Sequence, residues 1–136
     1  MFVGSENITV ELHYRKNKNG TVKVVRDVAE IPEIEKEKFQ KVILQMKPLT
    51  WKKYNELQRS AMVTKGMTGS EDIDWLLYKE KKLLAVLVGW DSKDDKGQSV
   101  PVTPDNIYRI HPMIVEMALN EFDRMTLLGE EERKNS

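Results

Sequence analysis

The sequence predicts an α+β protein in which an N-terminal β-hairpin or small antiparallel sheet is followed by a mainly helical domain of three to four helices. Near the N-terminus, apolar and polar residues alternate and an Asn-Gly pair follows, which is typical of paired strands. After residue 49 the apolar residues recur at helical spacing instead. We therefore divide the 136 residues into a strand region (1–48), a helical domain (49–129) and a charged tail (130–136).

The strand region contains two or three strands. Residues 8–14 alternate between apolar and polar side chains, as expected for a strand with one buried face. Asn19-Gly20 predicts a turn, because this pair readily adopts positive φ, and the β-branched run 21–28 is the expected return strand. Residues 33–38 form a charged connector or a short helix. The apolar run 39–46 fits either a third strand or a helix.

Capping residues predict the first two helices of the helical domain. Thr50 is the expected N-cap of a helix over 51–62, because its hydroxyl can accept a hydrogen bond from a first-turn amide. Ser70 is the expected N-cap of a second helix, and acidic residues follow it in the first turn. A broad apolar stripe then continues to Val88, and Gly89 is the expected end of this helix.

Proline residues define the last two helices. Thr103-Pro104 combines an N-cap with proline at the first helical position, which predicts a third helix. Pro112 interrupts that helix, because proline disfavours helical geometry in the residue before it. The final helix follows and is expected to end at Gly129.

Composition excludes several classes of protein. Without cysteine the chain has no disulfide, no thiol nucleophile and no Cys-ligated metal. The 22 basic residues equal the 22 acidic ones, which argues against a globally basic nucleic-acid binder. The longest apolar run, 83–88, is far shorter than the ~20 residues that span a bilayer. The N-terminus also lacks the pattern of a signal peptide, so we expect an intracellular protein without a membrane partner.

The sequence offers no constellation for catalysis, for a metal or for a cofactor. The acidic loop 91–97 invites a calcium interpretation, but counting from Gly97 places Lys96 at a ligand position. His13 and His111 fall in different predicted elements, and no third group accompanies them at a suitable spacing. We find no phosphate loop, dinucleotide fingerprint or nucleophile elbow. We therefore expect a non-enzyme with neither metal nor cofactor.

Basic residues of the predicted hairpin leave one further alternative open. An exposed β-ribbon with lysine and arginine can contact nucleic-acid phosphates, although lysines on an edge strand also prevent edge-to-edge pairing. A small nucleic-acid-binding regulator is the resulting alternative. The residues concerned are Arg15, Lys16, Lys18, Lys23 and Arg26.

Motifs in the second part of the chain resemble those of a known family. They are Leu49-Thr50-Trp51, the segment 83–90 (LLAVLVGW) and the segment 97–107 (GQSVPVTPDNI). Together they resemble the tail assembly chaperones of long-tailed bacteriophages, over residues 49–128. The resemblance implies a helical, non-enzymatic protein of the host cytoplasm that self-associates. Such proteins coat the tape-measure protein while tail-tube subunits polymerise around it.

A partner-binding surface is expected at the Gly89–Trp90 corner and on the final helix. Methionine adapts to irregular apolar partners, so methionine-bearing faces suit this role. The residues that we expect to contact the partner are Trp90, Met113, Met117, Phe122 and Met125. The alternative to a chaperone is a structural virion component, such as a head–tail joining or tail-terminator protein. A chain that begins with a hairpin fits that role well.

Overall fold

A computed structural model of the chain describes residues 1–66 and 69–127, without the side chain of Lys65. The α+β prediction is confirmed: a four-stranded antiparallel sheet packs against helices. Two 3-10 turns, at Val28–Glu30 and Glu33–Lys38, connect the second and third strands. In chain order the strands and helices are β1 (Ile8–Lys16), β2 (Val22–Val25), β3 (Gln40–Met46), α1 (Trp51–Ser60), β4 (Met62–Lys65), β5 (Ser70–Ile73), α2 (Trp75–Val86), β6 (Leu87–Trp90), α3 (Pro104–Tyr108) and α4 (Pro112–Leu127).

The main sheet has the strand order β2-β1-β3-β6, so the predicted hairpin forms one of its edges. Along β1, Val10 and Leu12 are fully buried, whereas Thr9 and Glu11 are exposed, as the alternating sequence predicts. The apolar run 39–46, which fitted a strand or a helix, contributes β3. It pairs antiparallel with β1, and Leu12 lies opposite Val42.

One hydrophobic core joins the sheet to the helices. Helix α4 lies against β1 and β2, and α2 contacts α1, α4 and β6. The core contains residues from both sides of position 48, so the boundary predicted there does not separate two cores. The largest fully buried side chains are those of Phe122, Leu12, Met46, Val10 and Val86.

The second predicted helix is wrong at both ends. Ser70 begins strand β5, which pairs with β4 across a turn where Gly66 and Gly69 have φ of 60° and 68°. Only glycine adopts such angles readily, so the chain reverses here instead of entering a helix. Helix α2 begins after Asp74, whose Oδ1 accepts hydrogen bonds from the amides of Leu76 and Leu77.

The other end of α2 continues directly into strand β6. There Gly89 pairs with Gln45 of β3 rather than ending the helix, because the open edge of β3 provides hydrogen-bonding partners. A Cβ atom at Gly89 would lie 3.3 Å from Gln45 Cβ, so glycine permits this close approach of the strands.

The other predicted caps are present. Thr50 Oγ1 accepts from the Lys53 amide at 3.2 Å, and Thr103 Oγ1 accepts from the Asn106 amide at 3.3 Å. Helix α1 ends at Ser60, slightly before the predicted limit. Gly129 and the tail 130–136 lie outside the described residues. Within the described part of the chain, no helix has the length and apolarity needed to cross a membrane.

Candidate functional site

A groove of about 720 Å³ lies between one end of the main sheet and the α3–α4 corner. Strands β1, β3 and β6 supply its floor, and the loop after β6 supplies one wall. The remaining wall is the corner where α3 ends and α4 begins. Apolar lining residues include Val42, Leu44, Trp90, Val100, Ile110 and Ile114.

Trp90 is fixed in the floor of this groove by the sheet and by the loop that follows. It lies opposite Leu44 in the β3–β6 pair. Its indole Nε1 donates a hydrogen bond to the carbonyl oxygen of Val100 at 2.6 Å. Asn106 Nδ2 in turn donates to the carbonyl oxygen of Pro101 at 2.9 Å, which ties the loop to α3. The groove therefore has a preformed shape, as binding sites usually do.

The loop wall is a turn organised by Asp94. Its Oδ1 accepts hydrogen bonds from the amides of Lys96 and Gln98, both at 2.9 Å. Gly97 completes the turn with φ of 77°. The sequence Asp-Asp-Lys-Gly thus forms a tight turn whose geometry is stabilised by the Asp94 carboxylate.

His111 holds the opposite wall. Its Nδ1 accepts a hydrogen bond from the Met113 amide at 3.1 Å, which caps the first turn of α4. His13 lies elsewhere, on β1 near Glu11, where its side chain is 13% exposed and lines a smaller pocket together with residues of α4. The structure therefore keeps the two histidines apart. Within residues 1–66 and 69–127, no group of three or more His, Asp or Glu side chains is arranged to hold a metal ion.

The five residues predicted to bind a partner do not form one surface. Trp90 lines the groove, and Met113 follows the corner that forms its wall and is 46% exposed. Met117 and Met125 are half-buried against the core. Phe122 is 0% exposed, so it belongs to the core and not to a docking surface in this conformation.

Sequence reasoning missed the groove residues that come from distant segments. Tyr14 and Lys16 reach the groove from the end of β1, and Arg109 and Ile110 reach it from the end of α3. No local pattern marks Tyr14, because only the pairing of β1 with β3 brings it to the groove. Ile110 could have been identified from the sequence, because an apolar residue directly before the His111-Pro112 helix break indicates a side chain at that corner.

A buried lysine forms the second chemically distinctive cluster. Lys82 of α2 makes an ion pair with Asp123 of α4, and its Nζ lies 5.5–5.6 Å from the ring centroids of Tyr54, Tyr78 and Phe122. Burial, with the nearby charge of Asp123 and then Tyr78, raises the pKa of Tyr54 to about 12. Burial and then Asp123 raise the pKa of Tyr78 as well. The cluster joins three helices, which is a structural role.

A smaller pocket of about 450 Å³ lies where the end of β2 meets α4. Glu121 lines it, is almost fully buried, and pairs with Arg124 at 2.6 Å and with Arg26 at 3.4 Å. Burial works against the ionised form of Glu121. The hydrogen bonds and charges of the two arginines outweigh that effect, so the pKa of Glu121 is lowered from its ordinary value of 4.5.

The lowered pKa of Glu121 predicts an acid-dependent loss of stability. A carboxyl group with a lower pKa in the folded state binds fewer protons there than in the unfolded state. Its contribution to the free energy of unfolding is therefore present above about pH 4.5 and is lost as pH falls through the folded-state pKa. Glu121→Gln should therefore reduce the dependence of unfolding free energy on pH below about 4.5. Urea unfolding at a series of pH values measures this. Glu37→Gln, at an exposed position, is the control, and equal slopes in both variants would contradict the prediction.

The basic hairpin is less available for nucleic acid than its sequence indicates. Arg15 pairs with Glu35 at 3.1 Å, and Arg26 pairs with the carboxylate of Glu121. Two of the five basic residues of the hairpin are thus neutralised within the chain. Acidic neighbours of this kind weaken attraction for phosphates.

Two of the three segments that carry the family resemblance meet at the groove, whereas Leu49-Thr50-Trp51 does not line it. Trp90 ends the segment 83–90, and the segment 97–107 supplies both the hydrogen-bond acceptor of its indole and the start of α3. Comparison of the chain with protein-family models, curated proteins and solved structures gave no match. We take the groove beside Trp90 as the candidate site, because two of these segments contribute to it.

Proposed function

We propose that this chain is a non-enzymatic tail assembly chaperone of a long-tailed bacteriophage. It would bind the tape-measure protein, tail-tube subunits or both during tail morphogenesis in the host cytoplasm. One observation carries the proposal: two of the three segments that resemble this family, 83–90 and 97–107, contribute to the same apolar groove. Residues that resemble a family of binding proteins and also build one site support a shared binding role.

The groove has the physical character of a protein-binding site. Its floor is apolar, while charged residues of the loop and of α3 surround it. Apolar surface rimmed by polar groups is typical of sites that bind other proteins. Met113 directly follows Pro112, which lines the groove, and its exposed side chain is of the adaptable apolar kind.

The test is recovery of partners from infected cells with a tagged chain, followed by identification by mass spectrometry. We expect the tape-measure protein among the partners. Recovery of portal or capsid proteins without the tape-measure protein would contradict the proposal. Size-exclusion chromatography with light scattering measures the self-association that we also propose.

A matched pair of variants links this test to the groove. Ser92→Trp places a large side chain at a lining position whose own side chain is exposed, so it should block the groove without disturbing the core. Ser5→Trp makes the same change at an exposed position outside the groove. Loss of the partner in the first variant alone supports the site. Equal capture by both variants would place partner binding elsewhere.

The antiparallel sheet at the centre of the fold favours a second candidate. A four-stranded sheet packed against helices suits a permanent virion component, such as a head–tail joining or tail-terminator protein. Purified virions separate the two candidates. A chaperone should be absent from mature particles, whereas a joining or terminator protein should be present in a few copies.

A further inference from the structure

We infer that the groove beside Trp90 binds a partner segment in which bulky apolar side chains are flanked by carboxylates. The inference rests on the proposed function and gives the chemistry of the partner segment. It rests on exposed cations at the groove that have no ionic partner within the described part of the chain, and on the shape and apolarity of the floor.

Three cations at the groove have no ionic partner within the described part of the chain. They are Lys16 at the end of β1, Lys93 in the loop wall and Arg109 at the end of α3, and all three are exposed. Among the described residues, exposed cations without an ionic partner also occur outside the groove, Lys38 and Lys52 among them, so what distinguishes these three is their position around one apolar floor. These three cations are therefore available to the carboxylates of a partner.

The carboxylates at the groove do not cancel this attraction. Asp94 is directed toward its own loop, where its Oδ1 accepts two backbone hydrogen bonds. Asp95 is the other carboxylate of the wall. With three cations and two carboxylates the lining carries both signs of charge and one more positive than negative, which suits a peptide with carboxylates at a few positions. A nucleic-acid backbone, with a negative charge on every nucleotide, would meet repulsion from both aspartates.

The floor provides the apolar part of the recognition. Trp90 and Leu44 face the α3–α4 corner, where Ile110 and Ile114 complete the opposite side. A volume of about 720 Å³ falls within the range that accommodates several side chains of a bound molecule. Buried apolar anchors surrounded by charged contacts are the common arrangement in protein interfaces.

The experiment compares two fluorescein-labelled synthetic peptides by anisotropy, using the full chain. Both contain the same leucine and phenylalanine residues, flanked by glutamate in one and by lysine in the other. We expect the glutamate peptide to bind at least about 10-fold more tightly, and its affinity to fall as NaCl is raised. Equal binding of the two peptides would overturn the inference. Tighter binding of a labelled single-stranded DNA than of the glutamate peptide would overturn it as well.

Charge reversal at the groove is the matched variant test. Lys93→Glu/Arg109→Glu should weaken binding of the glutamate peptide about 10-fold or more. Lys38→Glu/Lys52→Glu makes the same change in net charge at exposed positions outside the groove and should leave the affinity within about twofold. Equal weakening by both variants would show only a response to net charge and would overturn the inference. Thermal unfolding confirms that both variants are folded.

The two proposals fail in different ways. If the Lys93→Glu/Arg109→Glu variant still captures the tape-measure protein from infected cells as the natural chain does, the inferred chemistry is wrong and the proposed function stands. If the glutamate peptide binds as expected but neither the tape-measure protein nor tail-tube subunits are captured from infected cells, the inferred chemistry stands and the proposed function is wrong.

Discussion

Replacing Phe122 with alanine is expected to lower the free energy of unfolding by about 3–5 kcal/mol. The side chain is fully buried at the centre of α4, in the core that joins the helices to the main sheet. Its removal leaves a cavity that neighbouring elements can fill only in part. Since domains are typically stable by about 5–15 kcal/mol, the variant should be severely destabilised. Urea unfolding followed by circular dichroism measures the change.

Met113→Ala is the control on the same helix. Met113 is partly exposed at the start of α4, so its truncation should change the free energy of unfolding by about 0.5 kcal/mol or less. A loss in Met113→Ala as large as that in Phe122→Ala would contradict the described packing. The comparison also matters for function. Loss of partner binding in Phe122→Ala would report unfolding, whereas loss in a stable Met113→Ala would report a missing contact.

Elements governed by local chemistry could be predicted from the sequence. Thr50 and Thr103 begin helices because a hydroxyl at the N-cap satisfies an amide a few residues away, and no distant part of the chain is needed. Asn19-Gly20 lies in the turn between β1 and β2 for the same kind of reason, and Gly20 has φ of 86°. These local signals were sufficient to predict the α+β class.

Elements governed by distant contacts could not be predicted in this way. Ser70 and Asp74 are both good N-cap residues, and the sequence offers no local reason to prefer Asp74. The β4–β5 pair decides between them, because it holds Ser70 in an extended conformation. Residues 87–90 continue an apolar helical pattern, yet they form β6 because β3 has an open edge. Tertiary pairing overrides propensity in both cases.

The residues of the candidate site also divide into those that local sequence could identify and those that only distant contacts bring together. The Gly89–Trp90 corner was predicted as a partner surface, and Trp90 does line the groove. Tyr14 and Lys16 were not connected with it, because they reach the groove only through the pairing of β1 with β3. Phe122 was placed on the partner surface because helical spacing identifies an apolar face but does not say what covers it. In the structure the core covers it.

Asp123→Ala is expected to destabilise the protein by about 2–4 kcal/mol, because it leaves the ammonium group of Lys82 buried without a carboxylate. The Lys82 side chain is only 5% exposed, and three aromatic rings then provide its remaining favourable contacts. Those contacts stabilise a cation less than an ion pair does. Urea unfolding at neutral pH measures the loss, and added salt should change it little, since a buried pair is weakly screened.

Lys82→Met is expected to cost less than Asp123→Ala, within about 1 kcal/mol of the natural chain. Methionine has a similar length and fills the space among the rings, while Asp123 is 40% exposed and stays hydrated when its partner is removed. The difference between the two variants follows from burial. Buried Lys82 depends on Asp123 to compensate for its lost hydration, whereas the more exposed Asp123 does not depend on Lys82. A double variant completes the cycle and isolates the coupling between the two residues. A larger loss of unfolding free energy in Lys82→Met than in Asp123→Ala would contradict this expectation. The ion pair would then be a net source of stability, and charge rather than the surrounding apolar contacts would mainly join the helices.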